Sequence, residues 1–294
     1  MYILWIVGST VMFSVQFLLN KFFQKREGSA AQTSVLCAAA TAFFGMILLL
    51  LQDGAALAFS LFSFVLAAVS GAKNVLMTYM SVRVMEKASL SVYSLFSMLG
   101  GMLLPFLYAI LLGGESLSWQ KLLCVLLLSF AMYWEMRGQK RENPDGGKQF
   151  PGALLWYMGV FVLNGLSGVF AKIHQSAPTL AVSASSYTFW ERLSTLFLSG
   201  ILLLLFVRQK KTPRLRTPAV SLSLVAAASV LNTVANLILL AALLHVDASV
   251  QYPIVTGGVI IFSLLLEPLA GTKPRRHTVI AAVLSFAGLC LLAV

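Results

Sequence analysis

Few side chains in this sequence could do chemistry, and each one interrupts an apolar run. Trp190, Glu191 and Arg192 stand together in one such run, Lys73 and Asn74 follow Gly71 in another, Asn232 lies in a third, and Gln251 and Tyr252 precede Pro253 in a fourth. An arginine offers a planar fork that matches a carboxylate or a phosphate, which a lysine does not reproduce. A carboxylate such as Glu191 can take up and release a proton. A proline inside a helix frees a backbone carbonyl, and interrupted membrane helices are common ligand sites. Adjacent residues on a helix point about 100° apart, so Glu191 and Arg192 do not face each other and each needs its own partner or a wet cavity. The plainer reading of Arg192 is a side chain that reaches the membrane surface or bonds to a neighbouring helix end. For Lys73 and Asn74 it is a polar contact between helices. Asn20, Asn164, Asn232 and Asn236 are amides of the kind that bond between helices, and Lys21 and Lys172 are long enough to reach the interface.

Other chemistries find little support. His174, His245 and His277 fall at segment ends, far apart in sequence, and form no ligand set; Cys37, Cys124 and Cys290 lie in apolar runs without metal or disulfide spacing. Glu115, followed by Ser116 and Ser118, reads as the start of a helix. There is no Gly-rich loop ending in Lys-Ser/Thr for a nucleotide, and no nucleophile with a base, carboxylate pair or metal cluster stands out for an enzyme. No cofactor is expected.

The elements that must position these residues are membrane spans. Hydrophobic residues make up 59% of the 294 and charged ones 11%, against about half and about a quarter in a soluble domain. A bilayer core takes about 20 apolar residues per helix. Ten segments approach that: Tyr2 to Phe23, Ala30 to Leu51, Leu57 to Val82, Ser89 to Leu112, Leu117 to Trp134, Gly152 to Ile173, Ala181 to Val207, Ala219 to Leu244, Ser249 to Leu269 and Thr278 to Val294. They lack the polar/apolar alternation of barrel strands, so the expected fold is an all-α integral membrane protein. The first segment lacks the basic start and small-residue cleavage site of a signal peptide and reads as a retained span.

Residues 137–151, rich in charge, Pro and Gly, read as a polar linker between two halves, 1–136 and 152–294. The halves match. Leu4, Trp5, Gly8, Val11, Lys21 and Gln24 fall in one gapless register with Leu155, Trp156, Gly159, Val162, Lys172 and Gln175. Gly45 matches Gly200, Gly100-Gly101 match Gly257-Gly258, and Leu128-Ser129-Phe130-Ala131 match Leu284-Ser285-Phe286-Ala287. The glycine pairs suit close helix packing. Five helices per half is an odd number, so a duplication places the halves in opposite orientations, an inverted-topology repeat. Of the 21 Lys and Arg, all but Lys73, Lys121, Lys172 and Arg192 lie in linkers after odd segments. The excess of +11 therefore reads as a topology signal rather than a nucleic-acid surface, and it puts odd loops in the cytoplasm and both termini outside.

Ten helices in two five-helix halves resemble the drug/metabolite transporter superfamily in its EamA-type branch. The resemblance is carried by LPFLYAILLGGESLSWQKLLCVLLLSFAMYW, where Pro105 leads to Glu115, by ASVQYPIVTGGVIIFSLLLEP, and by Arg192 in the seventh segment. Thr272-Lys273 stand where the counterpart of Glu115 is expected, and Cys37 stands opposite Arg192. The resemblance implies cytoplasmic termini, the reverse of the charge bias. It also implies a secondary transporter working by alternating access in a cell membrane, that of the bacterial inner membrane. Intramembrane basic residues outnumber acidic ones, which leans the substrate towards a small anionic or zwitterionic metabolite such as an amino acid or organic acid. A proton is the candidate coupling ion, with Glu191 as the carboxylate well inside a span, apart from the terminal Glu135 and Glu267. The alternatives are a lipid or lipid-linked-sugar flippase and a membrane-embedded enzyme; monomer and homodimer both remain open. The expected site is a cavity between the halves, lined by the first, third, sixth, seventh, eighth and ninth helices. Its expected substrate-binding residues are Arg192, Glu191, Lys73, Asn74, Tyr252, Gln251, Trp190 and Asn232.

Overall fold

The computed structural model describes residues 2–27, 31–53, 57–87, 90–112, 114, 116–142, 153–208, 219–270 and 276–291. Within them the chain forms α1 (Tyr2–Glu27), α2 (Ala31–Asp53), α3 (Leu61–Lys87), α4 (Leu90–Leu111), α5 (Trp119–Glu142), α6 (Ala153–Gln175), α7 (Ala184–Arg208), α8 (Ala219–Ala242), α9 (Ala248–Leu266) and α10 (Arg276–Cys290), with a 3₁₀ turn at Glu267–Ala270. Helices satisfy their own backbone polar groups, which lipid cannot do. Seven of them (α1, α2, α3, α6, α7, α8 and α9) are long and apolar enough to cross a membrane; α4 and α5 carry the shorter apolar stretches Phe96–Leu111 and Trp119–Ala131. The chain is a multi-pass membrane protein.

Its surface and interior are arranged for lipid. Leu4, Leu51, Leu155 and Leu204 are exposed, whereas Ser9, Thr10, Ser14, Ser70, Thr188 and Ser229 are buried. Small hydroxyl residues inside allow helices to approach and bond to each other's backbones.

Several expected boundaries move, among them those of α5 and α3. α5 continues to Glu142, so residues 137–142 of the expected linker are helical; its remainder, 143–151, lies outside the described residues, as do Glu115 and Thr272-Lys273. Arg, Gln, Lys and Glu are good helix formers, and a helix leaving the membrane has no reason to stop where its apolar run does. α3 begins at Leu61 rather than Leu57, because residues 57–60 form a non-helical approach.

The packing joins distant parts of the chain. α4 lies along α6, α1 lies against α8 and α9, α2 against α7 and α8, α3 against α6 and α7, and α5 against α10. At the α4–α6 crossing a Cβ on Gly100 would sit 1.8 Å from the Phe161 carbonyl oxygen, so only glycine fits. On the α9–α1 crossing a Cβ on Gly258 would sit 2.5 Å from Thr10 Cγ2. The helices that these contacts gather surround a cavity, with α5 and α10 packed outside it.

Candidate functional site

The cavity holds about 330 Å³, at the low end of the ~300–1,000 Å³ usual for small-molecule sites. Seven of the eight expected residues line it: Lys73 and Asn74 from α3, Glu191 and Arg192 from α7, Asn232 from α8, and Gln251 and Tyr252 from α9. Trp190 does not, which corrects the expectation. Its indole Nε1 donates to the Ala58 carbonyl at 3.0 Å, and its ring meets Phe59 and Phe64 edge-on. The helix turn that aims Glu191 inward rotates its neighbour away.

Both cations are buried: Arg192 is 6% exposed and Lys73 7%. Arg192 Nη2 donates to Asn232 Oδ1 at 2.5 Å, and Asn232 Nδ2 donates in turn to Gln16 Oε1 at 3.1 Å, so a chain of bonds runs from α7 through α8 to α1. Arg192 Nε is buried with no protein partner. Its surroundings include Gly45 on α2, where a Cβ would lie 3.3 Å from this nitrogen. Lys73 Nζ donates to the Ser167 hydroxyl on α6.

Glu191 Oε1 accepts from the Ser70 hydroxyl and, at 2.9 Å, from Asn74 Nδ2, both on α3. Gly71 makes this reach possible. A Cβ there would lie 2.7 Å from Ser194 Cβ and 2.9 Å from the Thr195 backbone nitrogen, so α3 and α7 touch at the turn that carries Glu191. Among the described residues the ion pair is Lys121 with Asp247 at 3.1 Å, near the start of α5; the three charged groups of the cavity form none with one another.

On α9, Tyr252 donates its hydroxyl to the Gly168 carbonyl at 3.0 Å, and Gln251 Nε2 donates to the Leu239 carbonyl at 3.0 Å. Gln251 Oε1 is buried with no protein partner. The amides expected to bond between helices do so in part: Asn164 Nδ2 reaches the Ser97 carbonyl at 2.7 Å, and Asn236 bonds within its own helix to the Asn232 carbonyl. Asn20 lines the cavity. The histidines are not among the residues that line the cavity. His174 stacks on Tyr187 and contacts Ser63, His245 stacks on Tyr2, and His277 packs against Gly138.

The expected set of lining helices was too small. Cys37, Ala38 and Thr41 of α2, and Tyr93, Ser97, Met98 and Gly101 of α4, also face the cavity. Ser70, Ser167 and Gln16 were missed as partners of the charged groups. A signal for Ser70 is present in the sequence: Ser70, Asn74 and Thr78 recur every fourth residue, one polar stripe along α3.

No family model matches the chain, and no curated protein matches it. It is similar in fold to solved structures, among them one named only "Crystal structure of protein", which superposes with a TM-score of 0.72 at 16% identity over 97% of this chain and 94% of that one.

Proposed function

We propose that this chain is a ten-span secondary transporter of the EamA type within the drug/metabolite transporter superfamily. It moves a small anionic or zwitterionic metabolite across a cell membrane by alternating access, as an integral protein surrounded by lipid. The bacterial inner membrane is its expected place. The observation that carries this reading is the central cavity, where Arg192, Lys73 and Glu191 are gathered from two sequence-distant helices and left without mutual ion pairs. Insertion of one Arg, Lys or Asp at a span centre costs about 2.5–3.5 kcal/mol even on the lenient scale, and such groups persist where they serve a pathway.

The same reading takes residues 1–136 and 152–294 as inverted repeats. The packing supports it, because shifting every helix five places along the chain maps the main contacts onto one another. α1–α9 becomes α6–α4, α3–α7 becomes α8–α2, α1–α8 becomes α6–α3, and α2–α7, α4–α9 and α5–α10 map onto themselves. Gly100 and Gly258, from the matching glycine pairs, serve the equivalent α4–α6 and α9–α1 crossings.

The test is uptake by the purified full chain in liposomes, offered a panel of labelled amino acids and organic acids with and without a proton gradient. Saturable uptake of a carboxylate above that of protein-free vesicles is expected. No uptake of any member under either condition would sink the reading. For orientation, the charge bias predicts that Leu180→Cys, in the exposed turn between α6 and α7, is labelled from outside intact cells by an impermeant thiol reagent. Labelling only after lysis would favour cytoplasmic termini instead.

A further inference from the structure

The cavity has two unlike walls. On one, α1, α4 and α9 present Phe13, Phe17, Met98, Val255 and Val259, which pack with Phe96 into a single apolar cluster. On the other, α3, α7 and α8 present Lys73, Glu191, Arg192 and Asn232. A ligand filling this space must be amphipathic, because a wholly polar one would desolvate against the first wall and a wholly apolar one would strand the charges of the second.

The polar wall is rich in donors. An ammonium carries three N–H groups and a guanidinium five, and neither can accept. The protein supplies them with the Ser167 hydroxyl for Lys73 and the Asn232 amide oxygen for Arg192, both neutral. Glu191, by contrast, already receives two donors from α3 on a single oxygen. Two cations against one carboxylate leave a local excess of one positive charge. An occupant that completes this wall brings acceptors and a single negative charge. An added ammonium would lie beside two cations, with Glu191, bonded through one of its two oxygens, as its charged acceptor.

We propose that the cavity takes a monocarboxylate with an apolar body, its carboxylate on the Arg192 and Lys73 side and its body against the Phe13, Met98 and Val255 side, in preference to a zwitterion or a cation of the same shape. The proposal rests on the transport reading, since it names the substrate class of that site. The volume admits a body of one ring or a short branched chain.

A matched series tests it on the wild-type chain, so that no variant has to fold. Binding to the purified full-length protein in detergent at neutral pH is measured by titration calorimetry for 3-phenylpropanoate, L-phenylalanine, 2-phenylethylamine and acetate. The first three share one ring and differ in charge; the last keeps the carboxylate and loses the body. At least about tenfold tighter binding of 3-phenylpropanoate than of each other compound is expected. Equal or tighter binding of phenylalanine or phenylethylamine overturns the charge argument, equal binding of acetate overturns the two-wall argument, and no binding by any of the four overturns both. Uptake into liposomes then separates the two levels. The expected binding order without uptake of 3-phenylpropanoate defeats the transport reading and leaves the ligand class standing. Uptake of the zwitterion or amine with the carboxylate excluded does the reverse.

Discussion

The contact of α3 with α7 and that of α2 with α8 are built alike and charged differently. In the first, Gly71 brings the helices together and Ser70 and Asn74 reach across to Glu191. In the second, Gly45 plays the spacing part, its Cβ position 2.6 Å from Thr233 Oγ1, and the Ser229 hydroxyl reaches across to the Thr41 carbonyl at 2.5 Å. α8 contains no charged residue and α2 only Asp53 at its end. The charge therefore sits on one side of the cavity, and Arg192 alone carries it over, by extending from α7 to Asn232 on α8. Similar scaffolding with different side chains yields a lopsided site. Such a site can orient a ligand that has two different ends.

The sharpest way to break this comparison is to remove its crossing point. Arg192→Lys keeps a charge but loses the fork, and uptake of an anionic or zwitterionic substrate is expected to fall at least tenfold, with the protein still inserted and monodisperse by size exclusion. Full uptake by the charge-free Arg192→Ala variant would defeat the assignment. Next in size, Asn232→Leu leaves Arg192 Nη2 without its acceptor and Gln16 without its donor. Loss of a buried partner to a charged group costs about 1.5–3 kcal/mol, which thermal unfolding in detergent reads as a lowered midpoint; an unchanged midpoint would mean that the bond is not maintained.

The two spacing glycines separate the contacts. Gly71→Ala meets backbone at 2.9 Å, which cannot move alone, so α3 and α7 must part. Overpacking of this kind costs about 1–3 kcal/mol. Gly45→Ala meets the Thr233 hydroxyl, the end of a side chain with freedom to turn, and is expected to cost less. Equal losses from both would mean that the neutral contact is as rigid as the charged one. At the small end, Gly200→Ala meets nothing within 4 Å. It is expected to stabilise α7 by about 0.5–1 kcal/mol, the usual gain of alanine over glycine in a helix, and a drop in unfolding midpoint would count against open space there.

The helices and the charged residues were legible because lipid makes both conspicuous: an apolar run of about 20 residues has one stable form, and Arg192 inside such a run is costly enough to stand out. Arg192, Glu191 and Lys73 stand out by that cost, Pro253 points to Gln251 and Tyr252, and seven of the eight expected residues line the cavity. What a span's composition does not encode is rotation about its axis. Trp190 was misplaced for this reason, since an indole and a carboxylate side by side look equally available until the helix is docked. The parts played by α2 and α4 were hidden for another. They contribute small or neutral groups such as Cys37, Thr41, Ser97 and Gly101, which in an apolar chain look the same whether they face a cavity, a neighbour or lipid. The end of α5 was lost to composition, because charge and amphiphilic length mark the membrane edge without marking the end of the helix.

The glycine crossing of α4 on α6 also bears on how the protein is made. The partner that Gly100 needs is the backbone of Phe161, which is synthesised after it. α1 likewise finds α8 and α9, its main neighbours, only near the end of translation. α1, α2 and α3, each long and apolar enough to cross, therefore enter the membrane before the surfaces that bury their polar faces exist. A ribosome stalled after residue 142 would hold an unfinished assembly rather than a folded half, and two fragments made separately would have to find each other within the bilayer before either was protected from proteolysis.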